Sequence, residues 1–333
     1  MERSGSRAHI PVLLEAVLEN SLDEGARPAP RWYFDGTFGR GGHCWALMQR
    51  YPELQVIALD RDEEALTWAQ SPQSPFGAAI KEGRLRLFRA NFSEFRKLYQ
   101  SHFDQVTQGQ GFDLMLLDLG VSSPQLDQGE RGFSFYQDGP LDMRMDQRQD
   151  LTAAKLINRA SAEELTQIFL DLGEIRKPHR VVHAIVEQRA VEAIRTTGQL
   201  AALIERVEGW RVKGQNPSTR YFLALRMKVN DELEHLQDSL EAMIESLSLG
   251  GRLMVISFHS LEDRIVKSCF RESIQGYMVN KKVIQASWSE QKQNPRARSA
   301  KLRIFQKGPL PERKSKNKYP KDKQSNSLQG EKQ

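Results

Sequence analysis

Apolar residues in the first part of the chain form short runs separated by stretches with helical spacing. The strand-like runs are RWYFDGTF, QVIALD ending at Asp60, RLRLFRAN ending at Asn91, and FDLMLLDLG ending near Gly120. Helical spacing fills the gaps at residues 42–50, 62–70 and 93–100. This alternation of strand and helix predicts a parallel sheet with right-handed crossover connections.

The pattern changes after Gly120. A polar, glycine-rich stretch covers residues 121–150, and the segments that follow it, up to about Val207, have helical spacing and no strand candidate. Two of the predicted helices begin with the signature of a capping box, in which a hydroxyl residue is followed three positions later by Glu or Gln. These pairs are Ser161 with Glu164 and Thr196 with Gln199.

A single long helix is predicted to begin after residues 216–218, because apolar residues then recur in three- and four-residue steps along one stripe. The stripe consists of Phe222, Leu225, Val229, Leu233, Leu236, Leu240 and Leu247. We expect this helix to end at Gly250 and Gly251, before a strand RLMVISF. A helix at residues 260–271 and a last strand, LRIF from Leu302, complete the pattern.

Together these elements predict one α/β sheet domain that a helical insertion interrupts. The first part of the sheet domain is placed at residues 1–140, the insertion at 141–215 and the second part at 216–308. Residues 309–333 are rich in lysine and poor in apolar side chains, so a basic, disordered tail is expected there.

Composition places the chain among ordinary globular proteins. Hydrophobic residues make up 39% and charged residues 27% of its 333 residues, and no apolar run reaches the roughly 18 residues of a membrane helix. The N-terminal MERSGSRAH lacks the apolar core of a signal peptide, and the two cysteines have no paired spacing, so a cytoplasmic protein without a metal site is expected. The net charge of +5 is compatible with a polyanionic partner.

The stretch DGTFGRGGH, residues 35–43, follows the first predicted strand. A P-loop would need Lys and Ser or Thr after its second glycine, and a dinucleotide fingerprint would need glycine where Phe38 stands. A nucleoside site fits better: Asp35 suits the charged end of S-adenosylmethionine, and Asp60, at the end of the second strand, suits its ribose. The alternative is that the glycines only form a tight turn and that Asp60 and Asp62 only cap a helix.

Several longer motifs resemble one known family. These are DGTFGRGGH, ALDRD, DLGVSSPQLD, RGFSF, GPLDMRMD, ISFHSLEDRIVK and NPRARSAKLR, which together extend from about His9 to Arg303 in the order found in the bacterial ribosomal RNA small subunit methyltransferase H family. The resemblance implies S-adenosylmethionine-dependent methylation of the exocyclic N4 of a specific cytosine in the decoding region of 16S rRNA. The implied partner is 16S rRNA or the small ribosomal subunit, with no membrane, and a homodimer is left open.

The resemblance also implies a fold and a set of contacts. The fold is a class I S-adenosylmethionine-dependent methyltransferase domain, a Rossmann-like α/β sheet, with an inserted all-helical domain for RNA recognition. The implied cofactor contacts are Gly41, Gly42, His43, Asp60, Phe92, Asp118 and Gln125.

The residues themselves favour attack by an amine nitrogen. Methylation at C5 of cytosine needs a nucleophilic cysteine, and neither Cys44 nor Cys269 follows a proline; deamination needs zinc-binding motifs that the sequence does not contain. An amine mainly needs alignment and hydrogen-bond acceptors. The end of the fourth strand offers Asp118, Ser122 and Ser123 for this purpose, with Phe133 or Phe135 as stacking candidates.

Two further polar residues are catalytic candidates, each with a structural alternative. Asp142 could act near the amine or simply pair with Arg144, and His259 could act there or be a hydrogen-bonded structural group. RNA contacts are expected from basic residues in the insertion and near the end of the chain, although a solvated charged face is the alternative. The predicted RNA-binding residues are Arg176 and Arg180, with His183 on the same helix face, and Arg296, Arg298, Lys301 and Arg303.

Three rival functions stay open at the level of the residues. The chain could be a non-catalytic RNA-binding or ribosome assembly protein that keeps the fold, a nicotinamide-dependent oxidoreductase, or a methyltransferase for a small molecule or protein. The complete glycine-rich turn argues against the first and Phe38 against the second.

Overall fold

The computed structural model describes residues 10–21, 28–209, 216–234 and 236–310. The basic, disordered tail is predicted at residues 309–333, of which residues 311–333 lie outside the described residues. Within those ranges no helix has the length and apolar composition needed to cross a bilayer.

The strands are short and the helices lie between them. The strands are β1 Trp32–Asp35, β2 Gln55–Asp60, β3 Leu85–Arg89, β4 Phe112–Asp118, β5 Leu247–Ser257, β6 Gly276–Met278, β7 Ile284–Gln285 and β8 Lys301–Lys307. The α-helices are α1 Leu14–Glu19, α2 Gly42–Arg50, α3 Glu63–Gln70, α4 Gly77–Lys81, α5 Phe95–Leu98, α6 Asp104–Val106, α7 Ser123–Asp127, α8 Ala153–Arg159, α9 Ala162–Asp171, α10 His179–Val191, α11 Thr197–Glu208, α12 Ser218–Val229, α13 Leu236–Glu245, α14 Ser260–Glu272 and α15 Trp288–Gln293.

The strands form one mixed sheet in the order β3-β2-β1-β4-β5-β8-β6, with β7 also paired to β8. Strands β1 to β5 pair in parallel, and β8 runs antiparallel to its neighbours. The order reverses between β1 and β4, which is the arrangement of a doubly wound Rossmann-like sheet. The predicted class I methyltransferase fold with a helical insertion is therefore confirmed.

Apolar side chains alternate between two cores, one on each face of the sheet. Tyr33 and Leu116 contribute to the core beneath α1 and α2, whereas Phe34 and Leu117 contribute to the core beneath α13 and α14. Neighbouring strand residues point to opposite faces, so a strand that is apolar throughout must be covered on both sides. The predicted strands that form β1, β2 and β4 largely have this character, whereas β3, at the sheet edge, mixes apolar residues with arginine and is only partly buried.

The insertion between β4 and β5 has a core of its own. Buried residues of α8 to α12, among them Leu156, Phe169 and Leu200, form one apolar cluster. In the described residues of this region the β-structure is limited to an isolated bridge between Pro140 and Thr196. Thr196 also begins α11 with the predicted capping box, in which Gln199 returns a hydrogen bond to the backbone.

The prediction of one long helix after residue 216 is wrong. The chain leaves the helix at Asn230 and enters a second helix, α13, at Leu236. Phe222, Leu225 and Val229 pack in the core of the insertion, whereas Leu236 and Leu240 pack under the sheet and Leu247 already belongs to strand β5. The apolar stripe continues across the break because both helices bury one face, but they bury it against different partners.

Strand β5 begins at Leu247, so the expected helix end at Gly250 and Gly251 is also wrong. Both glycines lie inside the strand, where its pairing with β4 is irregular. A side chain on Gly251 would lie 2.5 Å from the Phe112 carbonyl oxygen, which explains glycine at this close approach.

Candidate active site

A cleft of about 340 Å³ opens at the carboxyl ends of the parallel strands. Its walls come from the glycine-rich turn after β1 and from the ends of β2, β3 and β4. Residues 226, 232, 258 and 262 line the opposite side. This is the position at which open α/β sheets bind ligands, next to the point where the strand order reverses.

Glycines shape the turn because two neighbouring aromatic rings and a proline leave no room for side chains. Gly41 has a φ of 71°, and a Cβ there would lie 2.5 Å from the Phe76 ring and 2.6 Å from the Phe38 ring. A Cβ on Gly42 would lie 2.3 Å from Pro11. Gly41 lies behind the turn as the residue before α2, while Gly42 lines the cleft.

Asp35 holds the turn from beneath. It is 2% exposed, accepts a hydrogen bond from the Tyr33 hydroxyl at 2.8 Å and another from the Thr37 backbone at 3.1 Å, and does not line the cleft. Burial raises the pKa of Asp35 to about 7. The structure thus gives Asp35 a supporting position instead of the predicted place beside the ligand.

Asp60 ends β2 and lines the cleft. Its two carboxylate oxygens accept backbone hydrogen bonds from Gly39 at 2.7 Å and Asp62 at 2.9 Å, and burial raises its pKa. A carboxylate has about four acceptor positions, so Asp60 retains capacity for a ligand hydroxyl pair. Asp62 caps α3, as the structural alternative for that residue stated.

The other predicted cofactor residues converge on the same cleft. Phe92 lines it from the end of β3, and the buried Gln125 binds Asp62 at 2.7 Å and the Ser122 backbone at 2.9 Å. His43 is buried, lies 2.9 Å from the Val12 carbonyl oxygen and turns its Nδ1 to within 3.9 Å of an Asp118 oxygen. The turn and the fourth strand therefore meet at His43 and Asp118.

Asp118 is placed at the end of β4 with one oxygen unused. Its side chain is 28% exposed, yet Oδ1 is enclosed and has no hydrogen-bond partner among the described residues. Burial, with a smaller contribution from the charges of Asp35 and Glu262, raises the pKa of Asp118 to about 8. A buried acceptor without a partner is a site that a ligand donor would satisfy.

Comparison with known proteins identifies the family. The model of the MraW methylase family matches residues 6–308, which is nearly the whole chain outside its tail. The chain belongs to the MraW methylase family. This confirms the predicted family, since the relatives below carry the name implied by the motifs.

Two curated relatives of this MraW-family chain are both called ribosomal RNA small subunit methyltransferase H. The one from Bdellovibrio bacteriovorus is 53% identical, with 91% of this chain and 88% of the relative covered. The one from Cyanothece sp. is 48% identical, with 90% and 94% covered. A solved structure of the N-methyltransferase NodS from Bradyrhizobium japonicum covers 89% of this chain at 9% identity and a TM-score of 0.38.

S-adenosylmethionine is the cofactor of this MraW-family methylase. The cleft fits the group in its own right: Gly42 lines it at the start of α2, Asp60 retains acceptor positions for hydroxyls, and Phe92 offers an apolar face. The enclosed Asp118 oxygen lies at the same end of the sheet. Which residues touch the cofactor remains a prediction.

The catalytic candidates are only partly brought together. Ser122 lines the cleft, whereas the side chain of Ser123, at the start of α7, lies outside the described part of the structure. Asp142 does not line the cleft and pairs with Arg144 through two contacts of 2.8 Å, as its structural alternative stated. His259 precedes α14 and lies 3.1 Å from Glu262, behind the cleft wall.

The predicted stacking residues lie elsewhere. Phe133 is buried near Arg131, and Phe135 packs on Phe222 at 4.8 Å. Neither lines the cleft, so the structure does not support either ring as the stacking residue. Phe92 and Phe258 are aromatic side chains that do line it.

The predicted RNA-binding residues fall into three positions. Arg180 is exposed on α10. Arg176 is also exposed but lies before the start of α10, so the two arginines do not share one helix face as predicted. Arg296 and Arg298 are exposed in a 3₁₀ turn at residues 295–299, with Arg296 at the cleft and 2.6 Å from Asp127.

The last two basic residues of that motif lie along β8 and turn toward Asp263. Lys301 is half-buried, and its ammonium lies 3.8 Å from Asp263. Arg303 is 6% exposed and binds both oxygens of Asp263. Its guanidinium is therefore committed inside the protein, and the structure gives Arg303 a packing role instead of an RNA contact.

Sequence reasoning missed the cleft wall formed by Arg226, Glu232 and Glu262. A signal for Arg226 was present, because it lies four residues after Phe222 and three before Val229, on the apolar stripe of its helix. A charged residue on a buried face needs a partner, and the partner is Glu232, beyond the helix end that the sequence did not reveal.

Proposed function

We propose that this chain methylates rRNA of the small ribosomal subunit, at the exocyclic N4 of one cytosine in the decoding region of 16S rRNA. The observation that carries the proposal is the Asp118 oxygen, which is enclosed at the end of β4, beside the glycine-rich turn, and has no partner in the described ranges. The names of the relatives support rRNA as the substrate.

When bound, S-adenosylmethionine supplies a methyl group activated by a positively charged sulfur. Gly42 and Asp60 would hold the cofactor at the carboxyl ends of β1 and β2. Asp118 accepts a hydrogen bond from the cytosine amine and so orients its nitrogen. As the amine gains positive charge, the same carboxylate stabilises that charge and takes the departing proton. Acceptor groups and alignment are sufficient for this chemistry.

Methylation of a ring carbon is not supported by the positions of the cysteines. Cys44 is fully buried in the core beneath α2, and burial raises its pKa. Cys269 lies in α14, and burial raises its pKa to about 12. Neither thiol lines the cleft, so neither is placed to add to a base held there.

An RNA substrate fits the distribution of exposed cations. Arg296 stands at the cleft and Arg298 beside it, while Arg176 and Arg180 lie on the insertion. Such residues bind phosphates with little dependence on sequence, so base selection must come from the cleft itself. An unpaired target base enters such a cleft at least cost, since its stacking is already weak.

The first test is transfer of labelled methyl from S-adenosylmethionine to small subunits that lack the modification, followed by nucleoside mass spectrometry. N4-methylcytidine is the expected product, and 5-methylcytidine would overturn the proposal. Asp118→Ala should lose turnover by about 10²-fold or more. The exposed Asp171→Asn is the matched control and should keep full activity. Cofactor binding without any methyl transfer by the native chain would favour the rival assembly protein.

A further inference from the structure

Arg226 is a buried cation that the mechanism above does not use. It lies on α12, and its side chain is 14% exposed where it lines the cleft. Burying a guanidinium on an apolar helix face is unfavourable unless it is paired, and a simpler apolar residue would pack there equally well. The position of Arg226 therefore points to a use for its charge or its donors.

Glu232 fixes the guanidinium in one orientation. Nε of Arg226 donates to one oxygen of Glu232 at 2.8 Å, and Nη2 donates to the other at 2.9 Å. Glu232 is itself buried, with a side chain 5% exposed. Nη1 donates no hydrogen bond to any residue in the described ranges. A planar fork held on one side thus presents its remaining N–H groups on the other.

The guanidinium lies beside Gly120, at the end of the strand that carries Asp118. A Cβ built on Gly120 would be 3.8 Å from Nη2 of Arg226, 4.0 Å from Nη1 and 3.7 Å from the Phe258 ring. Gly120 is two residues beyond Asp118, a reach of about 7 Å at most. Arg226, Asp118 and Phe258 all line the same cleft, so a donor, an acceptor and an aromatic ring border one ligand space.

The charges around Arg226 favour a neutral ligand over a phosphate. Glu232 compensates the guanidinium directly, and the buried Glu262 lines the same wall. Asp118 adds a further carboxylate nearby. The half-buried Arg61 lines the same cleft, and the two arginines are matched by Glu232 and Glu262. This wall therefore has no excess positive charge for a phosphate, and an uncharged acceptor is the better match for the Nη1 hydrogens.

We propose that Arg226 is the residue that selects cytosine, by donating a hydrogen bond from Nη1 to the ring nitrogen N3 while Asp118 accepts one from the amine. This inference rests on the proposed function. Cytosine presents an amine donor next to the N3 acceptor, whereas uracil presents an acceptor at O4 and a donor at N3. Uracil would therefore oppose both protein groups, and Glu232 is the positioning residue that fixes the orientation of Arg226.

The test uses small subunits reconstituted with 16S rRNA that carries 3-deazacytidine at the target position. This analogue keeps the amine but has no acceptor at N3. For the native enzyme, kcat/KM should fall by about tenfold or more on the analogue, as expected for one base contact. The intrinsic effect of the analogue on the amine is the same for every variant, so only the ratio between the two substrates is interpreted.

The paired variant R226M/E232M removes the guanidinium without leaving a lone buried carboxylate. It should reduce the ratio between the two substrates to less than about threefold, with cofactor affinity and Tm near the native values. Arg226→Lys, which keeps a cation beside Glu232 but loses the fork, is the second variant and should also reduce the ratio. Arg220→Lys, on the exposed face of the same helix, is the control and should keep the native ratio.

An unchanged ratio in R226M/E232M, or in Arg226→Lys if the double variant does not fold, would overturn the inference and leave Arg226 as a packing residue. A native enzyme that puts no methyl on N4 of ordinary cytidine would instead remove the proposed function, and the inference with it. The two failures are distinguished by the native enzyme on the unmodified substrate.

Discussion

Burial determines how the carboxylates around the cleft behave. Asp35 and Asp118 are held close together at the ends of neighbouring strands, and both have a pKa raised by burial, to about 7 and about 8. Asp35 uses its oxygens within the protein, whereas one oxygen of Asp118 has no partner among the described residues. Both carboxylates are buried, but the hydrogen bonds of Asp35 give it a structural part, whereas the unused oxygen of Asp118 is available to a ligand.

The raised pKa of Asp118 predicts a pH dependence of the reaction. The ionised carboxylate is the form that accepts the amine hydrogen bond, so kcat/KM should rise up to tenfold per pH unit below about pH 8 and level off above it. Initial rates between pH 6 and 9.5 would show this rise. A flat profile in the native enzyme, or an unchanged rise in Asp118→Asn, would contradict the assignment.

Gly41 should not tolerate even one methyl group. Gly41→Ala places a Cβ within 2.6 Å of two aromatic rings at a φ of 71°, so the free energy of unfolding should fall by about 2 kcal/mol or more. Gly77→Ala is the control, because nothing lies within 4 Å of its Cβ, and it should be neutral or stabilising by up to about 1 kcal/mol. Urea unfolding of both variants would measure the difference.

At the level of single residues, the sequence identified the part of the cleft wall that the strand ends and the glycine-rich turn form. Asp60 and Asp118 end apolar strands, and parallel strands bring their carboxyl ends to one edge, so their convergence followed from pattern alone. Arg226 and Glu262 could not be placed this way, since each belongs to a helix whose orientation depends on packing. Asp142 shows the opposite error: the sequence motif made it a catalytic candidate, but its carboxylate pairs with Arg144 and does not line the cleft.

Among the elements, the break between α12 and α13 links the two parts of the molecule. Asn230 is buried, donates to the Met143 carbonyl at 2.7 Å and accepts from the Met145 backbone at 2.8 Å. These bonds hold the stretch after residue 140 against the helix end, and Arg61 donates to the Asn230 carbonyl at 3.1 Å. Asn230 thus connects the insertion and the helix end through its side chain, and the β2 side of the cleft through its backbone carbonyl.

Asn230→Ala should therefore destabilise the fold by more than the loss of a few side-chain atoms suggests. It leaves a buried carbonyl and a buried N–H without partners, so we expect a loss of about 2–4 kcal/mol of unfolding free energy. The neighbouring Asp231→Gly is the control: Asp231 is exposed with a φ of 45°, and glycine should change stability by less than about 1 kcal/mol. Equal losses in the two variants would show that the break depends on backbone alone.

Most elements followed from apolar periodicity, and the errors have a common physical cause. Helix α2 was predicted at residues 42–50 as observed, and the capping box at Thr196 was also correct. The break at Asn230 was missed because periodicity records which face is buried and not which partner covers it. The short strands β6 and β7 were missed because two or three residues carry too little pattern, and their pairing with β8 defines them.

Over the whole molecule, the buried acids make stability depend on pH. A carboxylate whose pKa is higher in the folded state than its ordinary 3.8 stabilises the fold fully below about pH 4 and loses that contribution as pH rises toward 7 or 8. Unfolding free energy of the cofactor-free protein should thus fall from pH 5 to 8, by at most about 1.4 kcal/mol per pH unit for each group. Urea midpoints should show a shallower fall in the Asp35→Asn/Asp118→Asn double variant.

RNA binding should involve both the insertion and the cleft margin. If Arg180 and Arg298 each contact a phosphate, replacing either with Ala should reduce the slope of log K against log salt by about 1. Arg271→Ala, exposed at the end of α14, should leave the slope unchanged. Filter binding of 16S rRNA at several salt concentrations measures the slopes, and equal slopes in all three variants would exclude these contacts.

The position of β8 inside the sheet has a consequence for how the protein is made. This strand comes last along the described chain yet lies between β5 and β6. At about 5–20 residues per second, the ribosome releases β5 several seconds before β8, and during that time β5 has an open hydrogen-bonding edge. Such an edge is a template for pairing with other chains. Nascent chains interrupted between β5 and β8 should therefore be the species most prone to aggregate and to require chaperones.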